Sequence, residues 1–270
     1  GSGTTSGEAC PQATASWPAR SILDYAAGNR YCQGRPDSTG KGLIIQLLNV
    51  DKIYYIGGIK IKALEGLRLS FEAGEFTSVI GSPGSGRTTL LNIIGCLCRP
   101  TSGRALVCGI ETGRATEESL KRIRLHKVCF LSQTYNLIPN MTVFENIDFA
   151  LHLIRGEDGG TERVREILSE VGLGDKENVL PGRLSRLESM NLAIGKCLAI
   201  DPELLICDEP AVNLKSDDVD QVVELLRELN EKKGITIIVG TGSRAIAKRT
   251  KRMVKLIEGK TISFDDPDDD

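Results

Sequence analysis

The segment GSPGSGRTT, Gly81 to Thr89, contains residues that can hold a phosphate group. It matches the phosphate-binding pattern G-x-x-x-x-G-K-[ST] at every position except the lysine, which is replaced by Arg87. Glycines allow a close backbone approach, so that consecutive N–H groups and a helix N-terminus converge on an anion. The residues predicted to bind a nucleotide phosphate here are Gly81, Ser82, Gly84, Ser85, Gly86, Arg87, Thr88 and Thr89.

Two carboxylates at the end of LLICDEP supply the second half of such a site. Asp208 ends an apolar run and is the candidate for the magnesium-side acid, with the Thr88 hydroxyl as a second Mg²⁺ ligand. Glu209 is the candidate general base for an attacking water. Helix capping is the alternative role for such a pair.

Arg87 changes what the loop is expected to do. Arginine stays charged and can pair with phosphate oxygens, but its planar fork is longer than a lysine ammonium and need not fit inside a loop shaped for lysine. We therefore expect weak phosphate binding and slow phosphoryl transfer.

Composition limits the class of protein. The 270 residues carry a formal net charge of −2, so the whole chain offers no basic field to attract nucleic acid, and we expect no nucleic-acid partner. No apolar run approaches the roughly 18 residues of a membrane span. We expect any membrane association to come through another subunit.

Eight cysteines raise the question of disulfides or a zinc site. Five of them lie within apolar segments, and the histidines lack ligand spacing, so buried thiols are the expected state. These five are Cys96, Cys108, Cys129, Cys197 and Cys207.

The elements that must position the site alternate as in an α/β fold with a P-loop core and a parallel sheet. Near-continuous apolar runs predict buried parallel strands in FTSVI, KVCFLS, ELLICDE and ITIIVG. Residues before FTSVI predict an N-terminal antiparallel β subdomain, and MVKLIEGKTISF predicts a closing hairpin. We expect a flexible extension over 1–41, one nucleotide-binding domain over 42–264 with a helical subdomain inserted at about 135–190, and an acidic tail over 265–270.

From about Ile44 to Phe264 the chain resembles the nucleotide-binding subunit of ATP-binding-cassette (ABC) transporters, particularly the lipoprotein-release and macrolide-export subfamily. The resemblance is carried by GEFTSVIGSPGSGRTTLLNIIGCL, SQTYNLIPNMTVFENI and LAIDPELLICDEPAVNL. It implies ATP and Mg²⁺ as cofactors, a membrane-embedded partner subunit, a homodimer or heterodimer of cassettes, and a place on the cytoplasmic face of a membrane. It also implies that Tyr54 stacks on adenine and that Gln133 senses Mg²⁺ and the membrane subunit. A surface-strand tyrosine is the alternative for Tyr54.

The same resemblance exposes departures on the hydrolysis path. The family's LSGGQ signature, which meets the partner's nucleotide, is here Leu184–Glu188: Ser185 is kept as a predicted nucleotide contact, while Arg186 and Leu187 hinder close approach and Glu188 adds an anion facing an anion. Gly242 replaces the family's histidine, and Lys215 replaces an aspartate. We therefore predict a transporter subunit impaired in ATP hydrolysis. The alternatives are an active transporter ATPase completed by a partner, and a non-transport scaffold.

Overall fold

A computed structural model describes residues 42–155, 160–212 and 214–264. The predicted extension over 1–41 and the acidic tail over 265–270 lie outside the described residues. Ten strands are described: β1 Leu43–Ile56, β2 Ile59–Glu72, β3 Phe76–Ile80, β4 Ser102–Val107, β5 Ile110–Glu111, β6 Val128–Leu131, β7 Leu204–Asp208, β8 Thr236–Thr241, β9 Arg252–Ile257 and β10 Lys260–Phe264. Seven α-helices are described: α1 Arg87–Ile94, α2 Glu117–His126, α3 Val143–Arg155, α4 Thr161–Glu170, α5 Arg186–Leu198, α6 Ser216–Lys233 and α7 Arg244–Ala247.

The strands form two sheets. The larger has the order β10-β9-β3-β8-β7-β6, and its members pair in parallel except for the edge strand β10. The smaller has the order β2-β1-β4-β5 and is antiparallel. This mixed α/β architecture confirms the predicted parallel core, the N-terminal antiparallel sheet and the closing hairpin.

Both faces of the parallel sheet are buried, which explains why its strands are apolar throughout. In β7, Leu204 and Ile206 join the core shared with α1, α2 and the antiparallel sheet. Leu205 and Cys207 join the core shared with α3, α4, α5 and α6. Because successive side chains on a strand alternate in direction, one apolar run serves two cores. In the described ranges, no helix is both long and apolar enough to cross a lipid bilayer.

Helices α3, α4 and α5 follow one another along the chain between β6 and β7. Their buried residues pack together, with Val164, Ile167 and Leu168 forming the apolar stripe of α4. In α6 the apolar residues Val222, Val223, Leu226 and Leu229 are buried. The helix ends at Gly234, whose φ of 68° is the left-handed conformation that glycine favours.

One cysteine prediction is wrong. Cys129 of β6 and Cys197 of α5 are joined by a disulfide, with Cα atoms 5.6 Å apart. The physical reason is that α5 packs on β6, so two apolar segments that are 68 residues apart in sequence bring their sulfur atoms together. Cys96 and Cys207 are buried free thiols, as expected.

Candidate functional site

The phosphate loop joins the buried strand β3 to the N-terminus of α1. Gly84 and Gly86 have backbone φ angles of 83° and 95°, which residues other than glycine rarely adopt. A Cβ at Gly86 would lie 2.2 Å from the Ala63 carbonyl oxygen, so this position requires glycine. The N-terminus of α1 has no side-chain cap and no acidic residue in its first turn. Its free N–H groups are therefore available to an anion.

The carboxyl ends of β3, β8, β7 and β6 lie along one edge of the sheet, because these strands pair in parallel. This edge places Thr88 beside Asp208: the Thr88 hydroxyl donates to Asp208 Oδ2 at 3.1 Å. The other oxygen, Oδ1, is buried and has no hydrogen-bond partner among the described residues. Burial raises the pKa of Asp208, opposed by the Thr88 hydrogen bond and the Arg87 charge. An unsatisfied buried carboxylate oxygen beside a threonine hydroxyl fits a divalent cation.

Arg87 lies inside the site and holds Glu209. Its Nη2 pairs with Glu209 Oε1, and its Nη1 donates to the Gly81 carbonyl oxygen at 2.5 Å. The two side chains are only 12% and 18% exposed, so the pair is largely shielded from water. Glu209 Oε1 also accepts from the Gly242 N–H at 3.0 Å, and Oε2 from the Thr241 hydroxyl at 3.4 Å. The candidate base is thus held by a cation and a backbone amide.

The backbone of Glu209 is itself unusual. Its φ of 52° is uncommon for a residue with a side chain, and its N–H donates to the Gly240 carbonyl oxygen at 2.8 Å. Such conformations cost free energy and cluster at functional sites. In this conformation the Glu209 side chain contacts Arg87, the Thr241 hydroxyl and the Gly242 N–H.

Tyr54 lies close to the phosphate loop and Tyr55 does not. Tyr54 is partly buried, which raises its pKa, and its hydroxyl is within hydrogen-bonding reach of Thr89 in the first turn of α1. Lys52 Nζ lies 5.0 Å from the centre of its ring. Tyr55 is 72% exposed. The nucleotide contact at Tyr54 stays a prediction.

Gln133 follows β6 directly, in an exposed turn. It therefore lies at the same edge of the sheet as Asp208, since β6 pairs in parallel with β7. Ser82 and Gly84 are exposed, whereas Ser85 is buried and its hydroxyl has no hydrogen-bond partner among the described residues. Ser85 and Asp208, whose side chains carry these unsatisfied oxygens, are both predicted site residues: Ser85 for the phosphate and Asp208 for Mg²⁺.

Comparison with known proteins agrees with this geometry. The model of the family described as "ABC transporter" matches residues 64–212. The chain is 36% identical to a lipoprotein-releasing system ATP-binding protein, LolD, of Anaeromyxobacter dehalogenans, over 81% of this chain and 92% of that protein. The chain belongs to the ABC transporter family.

Two further relatives define what kind of ABC protein it resembles. It is 35% identical to a macrolide export ATP-binding/permease protein, MacB, of Syntrophobacter fumaroxidans, over 80% of this chain but only 31% of that longer protein. It is 36% identical to the ABC cassette MJ0796, over 80% of this chain and 96% of the other, with a TM-score of 0.74 to that cassette's dimeric structure. MJ0796, from Methanocaldococcus jannaschii, is also known as a dimer in a post-hydrolysis state bound to ADP and Pi.

The ABC signature segment, Leu184–Glu188, has a geometry that the sequence prediction did not foresee. Ser185 is the N-cap of α5: its hydroxyl accepts from the Glu188 N–H at 3.2 Å, and Glu188 Oε2 accepts from the Ser185 N–H at 2.7 Å. Glu188 Oε1 pairs with Lys176. Glu188 was expected to face the partner's nucleotide, but its charge is instead turned back onto its own helix and Lys176.

One of these contacts is predictable from the amino-acid sequence of this chain, and two are not. The spacing Ser185-x-x-Glu188 is a capping-box pattern, visible without a structure. The Arg87–Glu209 pair spans 122 residues and the Cys129–Cys197 bridge spans 68, and no local pattern marks either one.

Proposed function

We propose that this ABC protein is the ATP-binding subunit of a transporter of the lipoprotein-release or macrolide-export kind, and that hydrolysis at its own phosphate loop is impaired. It would bind Mg²⁺ and ATP weakly and work beside a membrane-embedded subunit on the cytoplasmic face of a membrane. The similarity to LolD, of a lipoprotein-releasing system, and to MacB, a macrolide export protein, supports this class of transporter. The observation that carries impaired hydrolysis is the Arg87–Glu209 ion pair.

The pair affects two steps at once. A cation at position 87 should contact the phosphates and stabilise charge on the transferring group. Here the guanidinium is engaged by Glu209 and by the Gly81 carbonyl oxygen. Glu209, which should accept a proton from the attacking water, is likewise engaged. Before a triphosphate can be cleaved, Arg87 must leave Glu209, and the freed carboxylate then faces the γ-phosphate.

Other residues still fit ATP and Mg²⁺. The uncapped N-terminus of α1 and the buried Ser85 hydroxyl suit a phosphate. Thr88 and Asp208 would hold the cation, which would neutralise phosphate charge when bound. Impairment of turnover with residual binding is therefore the expected combination.

The surface after Gln133 supports a membrane-embedded partner. In α3, Phe149 is 41% exposed and Leu153 is 60% exposed, and they lie one turn apart. An exposed apolar pair on a helix favours contact with another protein. We propose that the partner subunit covers it.

The test is a calorimetric titration with Mg·ATP and a steady-state ATPase assay on the wild type, Arg87→Lys and Glu209→Gln. A lysine ammonium is compact enough to stay within the loop, and glutamine releases Arg87, so both variants should bind ATP about tenfold more tightly, equivalent to roughly 1.4 kcal/mol. Arg122→Lys, on the exposed surface of α2, is the matched control and should change nothing.

Wild-type turnover should stay at background. Robust turnover that Glu209→Gln abolishes would overturn impaired hydrolysis and favour an active ATPase. If disrupting the surface at Phe149 and Leu153 left membrane association unchanged, and the chain co-purified with a soluble protein, the scaffold alternative would be favoured.

A further inference from the structure

The disulfide between Cys129 and Cys197 links the parallel sheet to the helix that follows the signature segment. Cys129 is in the strand β6, and Cys197 is in the last turn of α5. Cys197 is buried, while Cys129 is partly exposed. The bridge therefore has one sulfur in a residue that solvent reaches and one within the core.

The position of the bridge along the chain is informative. It closes a loop that contains α3, α4 and nearly all of α5, so the whole helical insertion lies between the two cysteines. Gln133 comes just after Cys129, and Ser185 lies inside the same loop. Without the bridge, the described residues hold this insertion to the rest of the domain through apolar packing, the Lys233–Glu170 ion pair and the two chain connections. The disulfide adds a covalent attachment at its base.

We propose that Cys129–Cys197 is a site of thiol–disulfide exchange with small dithiols or a dithiol protein, and that its state sets how firmly the helical insertion is attached to the sheet. Persistent disulfides are rare in reducing compartments, where they are usually transient and redox-sensing. The reducing compartment follows from the cytoplasmic position proposed above, whereas the contact between the two cysteines is independent of that proposal.

The exchange is balanced as follows. A thiolate of the dithiol attacks the Cys129 sulfur, the S–S bond breaks, and Cys197 leaves as a thiolate that takes up a proton. The second thiol of the reagent then attacks the mixed disulfide, which frees Cys129 and gives the oxidised reagent. Two protein thiols form and one dithiol is oxidised. Oxidised glutathione reverses the process and is reduced to two glutathione thiols.

Other described cysteines are poorer candidates. Burial raises the pKa of Cys96 to about 12 and raises that of Cys207 as well, which keeps both as inert thiols. Cys98 is half-buried beside Tyr54 and lies in the connection after α1, away from the insertion. Cys98→Ser is therefore a matched control.

The experiment uses the full chain without nucleotide, so that its outcome does not depend on ATP binding. Peptide mapping after oxidised glutathione should find residues 129 and 197 in one linked pair, which dithiothreitol separates. In the reduced protein, amide hydrogen exchange in Val143–Arg155 and Thr161–Glu170 should be about tenfold faster than in the oxidised protein. The exchange rates in β3 and β8 should be the same in both states.

Cys129→Ser should show the faster exchange without reductant, and Cys98→Ser should not. If Cys129→Ser fails to fold, the comparison of reduced and oxidised wild type still decides the question. The proposal is overturned if no linked pair forms after oxidation, or if exchange is equal in the two states. The two proposals fail independently: an active ATPase would leave the exchange at Cys129–Cys197 unaffected, and an inert disulfide would leave impaired ATP hydrolysis unaffected.

Discussion

In an ABC protein, the N-termini of α1 and α5 are the two helix ends expected to contact nucleotide phosphates. In this chain they differ in their capping side chains and in their local charge. At α1, the N-cap is Gly86, with no side-chain cap and no acidic residue in the first turn. At α5, Ser185 and Glu188 form a complete capping box, and Lys176 pairs with Glu188. The first end keeps its N–H groups free. The second supplies its own carboxylate.

This difference indicates two different ways of losing phosphate chemistry. At α1 the backbone architecture for an anion is kept, and the Arg87–Glu209 pair is the obstacle to phosphate binding. At α5 the N–H groups of Ser185 and Glu188 and the Ser185 hydroxyl are already engaged in the capping box. A partner's nucleotide would have to displace an internal charge that the helix dipole and Lys176 both stabilise. We therefore expect one substitution to restore phosphate binding at α1, and several substitutions to be needed at α5.

The largest effect should come from making the two N-caps alike. Gly86→Ser places a Cβ 2.2 Å from the Ala63 carbonyl oxygen at a φ of 95°. It should lower the free energy of unfolding by about 3 kcal/mol or more, measured by urea denaturation. The reverse exchange, Ser185→Gly, should cost only a few tenths of a kcal/mol, because glycine is tolerated as an N-cap. Equal losses for the two variants would contradict the proposed difference.

The next effect concerns the ion pair that blocks α1. Arg87→Ala removes the cation from a largely buried Glu209, and should lower the free energy of unfolding by about 2 kcal/mol, measured in the same way. The double variant Arg87→Ala with Glu209→Gln should recover most of that loss, because no uncompensated charge remains. If the double variant were as unstable as the single one, the loss would come from packing of the arginine stem instead.

A smaller effect is expected at α5. Ser185→Ala removes the oxygen that accepts the Glu188 N–H, and should cost about 1 kcal/mol of unfolding free energy. Ser189→Ala is a useful control on the next turn, since the Ser189 hydroxyl only donates back to the Ser185 carbonyl oxygen. A loss at Ser189 that matched the loss at Ser185 would mean that the capping box contributes little.

How much the sequence predicts depends on the distance over which a pattern acts. The strand β3, its glycine loop and the helix α1 form one continuous segment with a strong pattern, and the carboxylates of β7 end an apolar run. Parallel pairing places the carboxyl ends of β3 and β7 at one edge of the sheet, so the proximity of Asp208 and Thr88 follows from the strand prediction itself. The fold and the outline of the phosphate site are therefore predictable.

What the sequence could not predict is how charges and sulfurs pair once these segments meet. Arg87 is visible in the sequence as a departure, but its pairing with Glu209 depends on the space that Gly240 and Gly242 leave for its side chain. The Glu188–Lys176 pair could not be predicted, because Lys176 lies in a separate short helical turn, Gly174–Lys176. The Cys129–Cys197 bridge depends on the packing of α5 on β6.

The smallest effect is a pH dependence of stability at the α5 end. Lys176, followed by the Ser185 N–H, lowers the pKa of Glu188 below its ordinary value of 4.5. A carboxyl whose pKa is lowered on folding stabilises the folded state above its unfolded pKa, and that contribution is lost as the pH falls through the folded value.

The comparison of wild type with Glu188→Gln in urea, from neutral pH down to about pH 3, should therefore show a difference of roughly 0.5 kcal/mol near neutrality. The difference should vanish in acid, because the protonated carboxyl and the amide are then both neutral. Lys176→Met should shrink the difference at neutral pH, since it removes the first cause of the lowered pKa. A difference that persisted unchanged in acid would mean that Glu188 stabilises the helix end through its shape and hydrogen bonds and not through its charge.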